Sequence, residues 1–97
     1  MIQIPVLARY EDPEAGEVRV RAFTLSVNAH GCLLAMDVKP AAGQRMRLVN
    51  ARSTVERTGR VIRAERARDG SFAVSFEFDT PAPDLWSFGT PSGDRFA

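Results

Sequence analysis

Cysteine, histidine and lysine each occur once in these 97 residues, and each scarcity excludes a class of function. With Cys32 alone, no intrachain disulfide can form, so a disulfide-stapled extracellular scaffold is excluded. One histidine and one cysteine also fall short of the roughly four nitrogen or sulfur ligands of a structural zinc site. His30 lies two residues before Cys32, so a Cys-His pair can be drawn, but no third group can be assigned to orient it. The plainer reading makes His30 a turn residue and Cys32 a small buried hydrophobe. No glycine-rich phosphate loop is present. Neither turnover, nor a metal, nor a cofactor is therefore expected. Long apolar runs are lacking too: the uncharged stretch from Phe23 to Met36 holds Ser26, Asn28, His30 and Gly31, well short of the ~20 apolar residues that span a bilayer. Met1-Ile2-Gln3-Ile4-Pro5 carries no basic segment ahead of an apolar one, so no signal peptide and a cytoplasmic location are expected.

What is plentiful is arginine. The formal net charge is only +1, yet it is unevenly spread. Residues 1 to 40 carry four basic and five acidic groups, residues 41 to 68 carry eight arginines against Glu56 and Glu65, and residues 69 to 97 carry Arg95 against five acids. A guanidinium fork suits bidentate contact with phosphate or carboxylate, which makes an anionic partner one reading of the basic middle third. The other is a set of solvent-facing strand arginines paired with acids elsewhere. Between Arg45 and Arg68 there is no aromatic residue on which a base could stack, which argues against an RNA- or single-stranded-DNA-binding barrel and leaves it as a distant alternative.

The dominant period is two. Ser71 to Asp79 places Phe72, Val74, Phe76 and Phe78 on one face and small or acidic residues on the other, the pattern of a half-buried strand. Glu17 to Val27 alternates as well, but Val18 and Val20 share one parity and Phe23, Leu25 and Val27 the other, which predicts a β-bulge near Ala22. Ile4–Tyr10, Gly31–Met36, Gln44–Asn50 and Val55–Ala67 are further extended candidates, with Gly59 marking a bend or a close backbone approach. Gly, Pro, Asn and Asp punctuate the gaps between them. Six strands joined mostly by tight turns predict an all-β fold, an antiparallel barrel or sandwich, of which the six-stranded antiparallel barrel is the expectation carried forward. After Pro81 and Pro83, Asp84 to Phe88 predicts a short helical turn laying Leu85, Trp86 and Phe88 on an open end of the barrel. One domain over residues 1–88 and a flexible tail over 89–97 are expected.

The stretch Thr24-Leu25-Ser26-Val27-Asn28-Ala29-His30-Gly31-Cys32-Leu33-Leu34 resembles the signature of the PilZ family, bacterial six-stranded barrels that receive cyclic di-GMP. That frame, Asp or Asn, any residue, Ser, two of any kind and Gly, reads here as Ser26-x-Asn28-x-x-Gly31, so Gly31 matches while Ser26 and Asn28 are polar replacements. Gly59-Arg60-Val61, Phe72 to Phe78 and Pro81 to Trp86 resemble later segments of the family in order and spacing. The resemblance implies a non-enzymatic signalling barrel whose nucleotide face includes Ser26, Asn28 and Gly31, with Gly31 leaving room for the ligand. It departs at one feature: the family carries Arg-x-x-x-Arg on an arm before the first strand, whereas no two arginines of this sequence are four apart. Arg9, Arg19 and Arg21 are the early cations available as substitutes, with Arg19 and Arg21 on one strand face. Two functions follow from the resemblance: a degenerate adaptor acting through a protein partner, with weak or no nucleotide binding, or a genuine cyclic di-GMP receptor whose arginine arm precedes residue 1.

Overall fold

The computed structural model describes residues 3–86. Six strands follow one another, β1 Pro5–Asp12, β2 Gly16–Val27, β3 Gly31–Met36, β4 Arg45–Asn50, β5 Glu56–Arg66 and β6 Phe72–Phe78, and a single 3₁₀ turn, Pro83–Trp86, follows them. The strands close into a barrel in the order β1-β2-β3-β6-β5-β4, every neighbour antiparallel. The six antiparallel strands and the short C-terminal turn expected from period and punctuation are thus both present, and closure makes the fold the barrel and not the sandwich.

Alternation explains the core. Val6 and Ala8 of β1, Leu34 and Met36 of β3, Met46 and Leu48 of β4, Val61 of β5, and Val74, Phe76 and Phe78 of β6 all point inward and are buried. Phe76 and Phe78 meet edge to face with ring centroids 5.5 Å apart, and full burial of a side chain of this size contributes about 1.5–3 kcal/mol. Leu85 and Trp86 close the end of the barrel where β2, β4 and β6 finish, with Trp86 5.9 Å from the Phe78 ring. Asn50, buried at the end of β4, holds this plug by donating from Nδ2 to the Leu85 carbonyl at 2.7 Å. Phe88 and the tail over 89–97 lie outside the described residues.

The bulge of β2 corrects the expectation drawn from parity. It lies between Thr24 and Ser26, opposite Leu34 and Leu33, and not near Ala22. The inward parity of Val18 and Val20 runs on through buried Ala22 and Thr24, so Phe23 points outward and is 50% exposed. An inward threonine is tolerated because its Oγ1 accepts the Ile4 N–H at 2.8 Å, which removes the cost of burying an unpaired hydroxyl. A second bulge, between Val61 and Arg63 of β5, turns Ile62 out to solvent.

Candidate functional site

The β2–β3 turn is built by Asn28. Its Oδ1 accepts the backbone N–H groups of His30 at 2.7 Å and Gly31 at 3.0 Å, while its own N–H donates to the Gly31 carbonyl at 3.0 Å. This is the local side-chain-to-backbone bonding that lets Asn close a tight turn. The plug is tied to the same turn. Trp86 Nε1 donates to the Asn28 carbonyl at 2.9 Å, and the Ala82 N–H donates to the Ala29 carbonyl at 2.7 Å. Gly31 is buried against β6, and a Cβ placed there would stand 2.2 Å from the Phe76 carbonyl oxygen. The close approach that requires glycine is therefore to the backbone of the neighbouring strand, within the barrel wall. Ser26 is exposed on the bulged strand.

The early arginines stand elsewhere. Arg9 and Arg19 face each other across β1 and β2, and both engage one carboxylate: Arg9 Nε lies 3.1 Å and Arg19 Nε 2.8 Å from Glu17 Oε2. These two hydrogen bonds hold the Glu17 carboxyl below its ordinary value. Arg21 is exposed and makes no ion pair among the described residues. Along β2, Arg19 and Arg21 are seven and five residues from Ser26, about 23 and 17 Å at ~3.3 Å per residue. Ser26, Asn28 and Gly31 thus cluster at one end of the barrel and Arg9, Arg19 and Arg21 lie toward the other.

The cations nearest Gly31 come from β4 and β5, which motif reasoning did not single out. Gly31, Glu77, Arg60 and Arg45 lie in register across β3, β6, β5 and β4. Arg45 grips Asp79 with both guanidinium nitrogens, at 2.6 and 2.5 Å, and Thr58 Oγ1 donates to the same carboxylate at 2.8 Å. The Arg45 bond first, then that of Thr58, pulls the Asp79 carboxyl down to about 2. Arg60 meets Glu77 at 3.3 Å, Arg47 meets Glu56 at 3.1 Å, and Arg57 pairs with Asp84 of the plug. An open cleft of about 270 Å³ lies among Arg9, Tyr10, Glu17, Gln44, Arg45 and Arg47, and a second hollow of about 380 Å³ holds Arg45, Arg60, Glu77 and Asp79. Their arginines are matched by carboxylates, and Glu77 stands between Gly31 and Arg60. The signal in the sequence was the placement of Glu77 and Asp79 at the end of β6, which becomes legible only once the strand order sets them beside β5 and β4.

His30 and Cys32 do not form a pair. Cys32 points into the core, where burial pushes its thiol up to about 12, and His30 is exposed in the turn. Among the described residues no three His, Cys, Asp or Glu side chains gather to hold a metal ion, and no helix is long and apolar enough to cross a membrane. Comparison with protein-family models, with curated proteins and with solved structures finds no match to this chain.

Proposed function

We propose that this chain is a PilZ-type barrel without catalytic activity of its own, a degenerate adaptor that makes protein contacts in cyclic di-GMP signalling and binds the nucleotide weakly or not at all. The closed six-stranded barrel is the fold that the motif resemblance implies. The observation that carries the adaptor reading is that the motif residues already serve the barrel: Asn28 Oδ1 is occupied by two backbone N–H groups, and Gly31 makes room for β6. The cations that would hold phosphates lie about 20 Å away along β2 or are matched by acids nearer the turn. A charge-assisted hydrogen bond contributes about 1.5–3 kcal/mol, so the absence of two such contacts weakens a micromolar ligand to about millimolar.

Calorimetric titration of the full chain with cyclic di-GMP at about 50 µM protein, a concentration that detects micromolar affinity, gives no binding heat if this reading holds. Saturable heat with micromolar affinity, abolished by Arg45→Ala or Arg60→Ala, would instead establish a receptor using the β4–β5 arginines.

A further inference from the structure

The β1–β2 hairpin outruns the rest of the wall. The ladder of β3 with β2 ends at Met36, opposite Ala22, and that of β4 with β1 ends at Arg47, opposite Arg9. Among the described residues, 17–21 of β2 therefore pair with β1 alone, and their second edge carries no strand. Which backbone groups lie on that edge follows from the ladder. The Thr24 N–H donates to the Ile4 carbonyl at 3.0 Å, and bonded pairs alternate along an antiparallel ladder, so Ala22, Val20 and Val18 turn their N–H and C=O groups toward β1. Those of Glu17, Arg19 and Arg21 point the other way. Such a row is a template for another strand.

We infer that two copies of this chain join by this edge, β2 against β2, antiparallel about a two-fold axis at Arg19; the inference goes beyond the adaptor reading and does not rest on it. The occupant follows from the residues of the edge. A two-fold axis makes a strand read itself backwards. Read so about Arg19, residues 17–21 set Glu17 against Arg21 of the second copy, twice, and Val18 against Val20. Arg21, which makes no ion pair among the described residues of its own chain, gains a carboxylate, and the outward N–H and C=O groups of Glu17, Arg19 and Arg21 all find partners. The two Arg19 side chains meet at the axis, a like-charged pair that costs free energy on its own, but each is held by its own Glu17 at 2.8 Å. Residues 9–21 hold three arginines and four acids, and Asp37 and Lys39 after β3 cancel, so the copies meet with little net charge. The open edge of β5 does not read itself this way. Beyond Val61 it is interrupted by a bulge, and an axis midway between Ala64 and Arg66 sets Glu65 against Glu65. Five residues per copy make a small interface, which implies a weak dimer that depends on concentration.

Sedimentation velocity and amide hydrogen exchange of the ¹⁵N-labelled full chain, from about 10 µM to about 1 mM, test this. The expected result is a passage from monomer toward dimer, with the amides of Glu17, Arg19 and Arg21 gaining protection as concentration rises while those of Val18 and Val20, already bonded to β1, change little. Arg21→Glu, and separately Glu17→Arg, should weaken the dimer about tenfold, because each sets like charges opposite one another. Mixed in equal amounts the two variants should dimerise again, since every glutamate then faces an arginine. Ile62→Glu, which alters an exposed apolar residue outside the edge, should leave dimerisation unchanged. The register has its own readout: Arg19→Cys, opposite itself at a Cα separation of ~5.5 Å, should oxidise to a covalent dimer, whereas Arg21→Cys should not. Circular dichroism melts check that each variant folds. A monomer up to 1 mM, protection of the three amides that does not vary with concentration, a dimer indifferent to Arg21→Glu, or equal cross-linking at positions 19 and 21 would each overturn the inference.

Discussion

Gly31 and Gly59 show how a motif glycine can serve packing. An added Cβ would lie 2.2 Å from the Phe76 carbonyl oxygen at Gly31, and 2.1 Å from the Glu77 carbonyl oxygen at Gly59, both unyielding backbone atoms. Gly31→Ala should therefore destabilise the chain by about 1–3 kcal/mol, the usual cost of forcing extra volume into a packed wall, as read by urea unfolding. A ligand-clearance role alone would leave stability unchanged. Asn50 is a polar counterpart: its side chain is fully buried, donates to Leu85 O and accepts the Arg52 N–H at 2.9 Å. Asn50→Leu should cost about 1–3 kcal/mol, because the plug carbonyl and the turn amide lose their partners, and Trp86 fluorescence should shift to the red as the plug loosens. Cys32, with its thiol buried and raised to about 12, should react with a thiol reagent only as fast as the barrel opens.

At the scale of the strand, legibility depended on whether inward positions were apolar. β6 could be read directly because Phe72, Val74, Phe76 and Phe78 keep one parity throughout. In β2 an inward threonine and an outward phenylalanine mimic a parity slip near Ala22, whereas the bulge lies beyond Thr24. The signal that separates the two cases, the Ile4 N–H waiting for Thr24 Oγ1, belongs to a residue 20 positions away and is not local to the strand. Of the candidate site, the turn formed by Asn28 and Gly31 was legible from residue type. The separation of Arg9, Arg19 and Arg21 from it depends on where the strands run, and the pairing of Arg45 and Arg60 with β6 acids depends on strand order. That clamp has a pH signature. The Asp79 carboxyl falls from its ordinary 3.8 to about 2 in the fold, so the clamp stabilises the folded state above the unfolded value and is lost as pH falls through about 2. Asp79→Asn should flatten the decline in thermal stability between about pH 4 and pH 2 while leaving other parts of the acid limb in place.

For the whole molecule, closure of the barrel leaves one end capped by the plug, and the plug is bonded to the turn that carries the motif through Trp86 Nε1 and Ala82 N–H. Anything that binds the turn of the folded chain must therefore raise the stability of the entire barrel, since a ligand of the native state alone stabilises it by mass action. At a free concentration of about 1,000 times Kd that stabilisation is about 4 kcal/mol, and each kcal/mol moves the melting temperature of a domain this small by about 4–8 °C. The most direct measurement is the Tm of the full chain with and without about 1 mM cyclic di-GMP, which is 1,000 times a micromolar Kd. The adaptor account predicts melts that differ by at most about 3 °C, the shift that a millimolar Kd allows at this concentration. A rise of about 10 °C or more, lost on Arg45→Ala or Arg60→Ala, would contradict it and make the turn and its neighbouring arginines a nucleotide site.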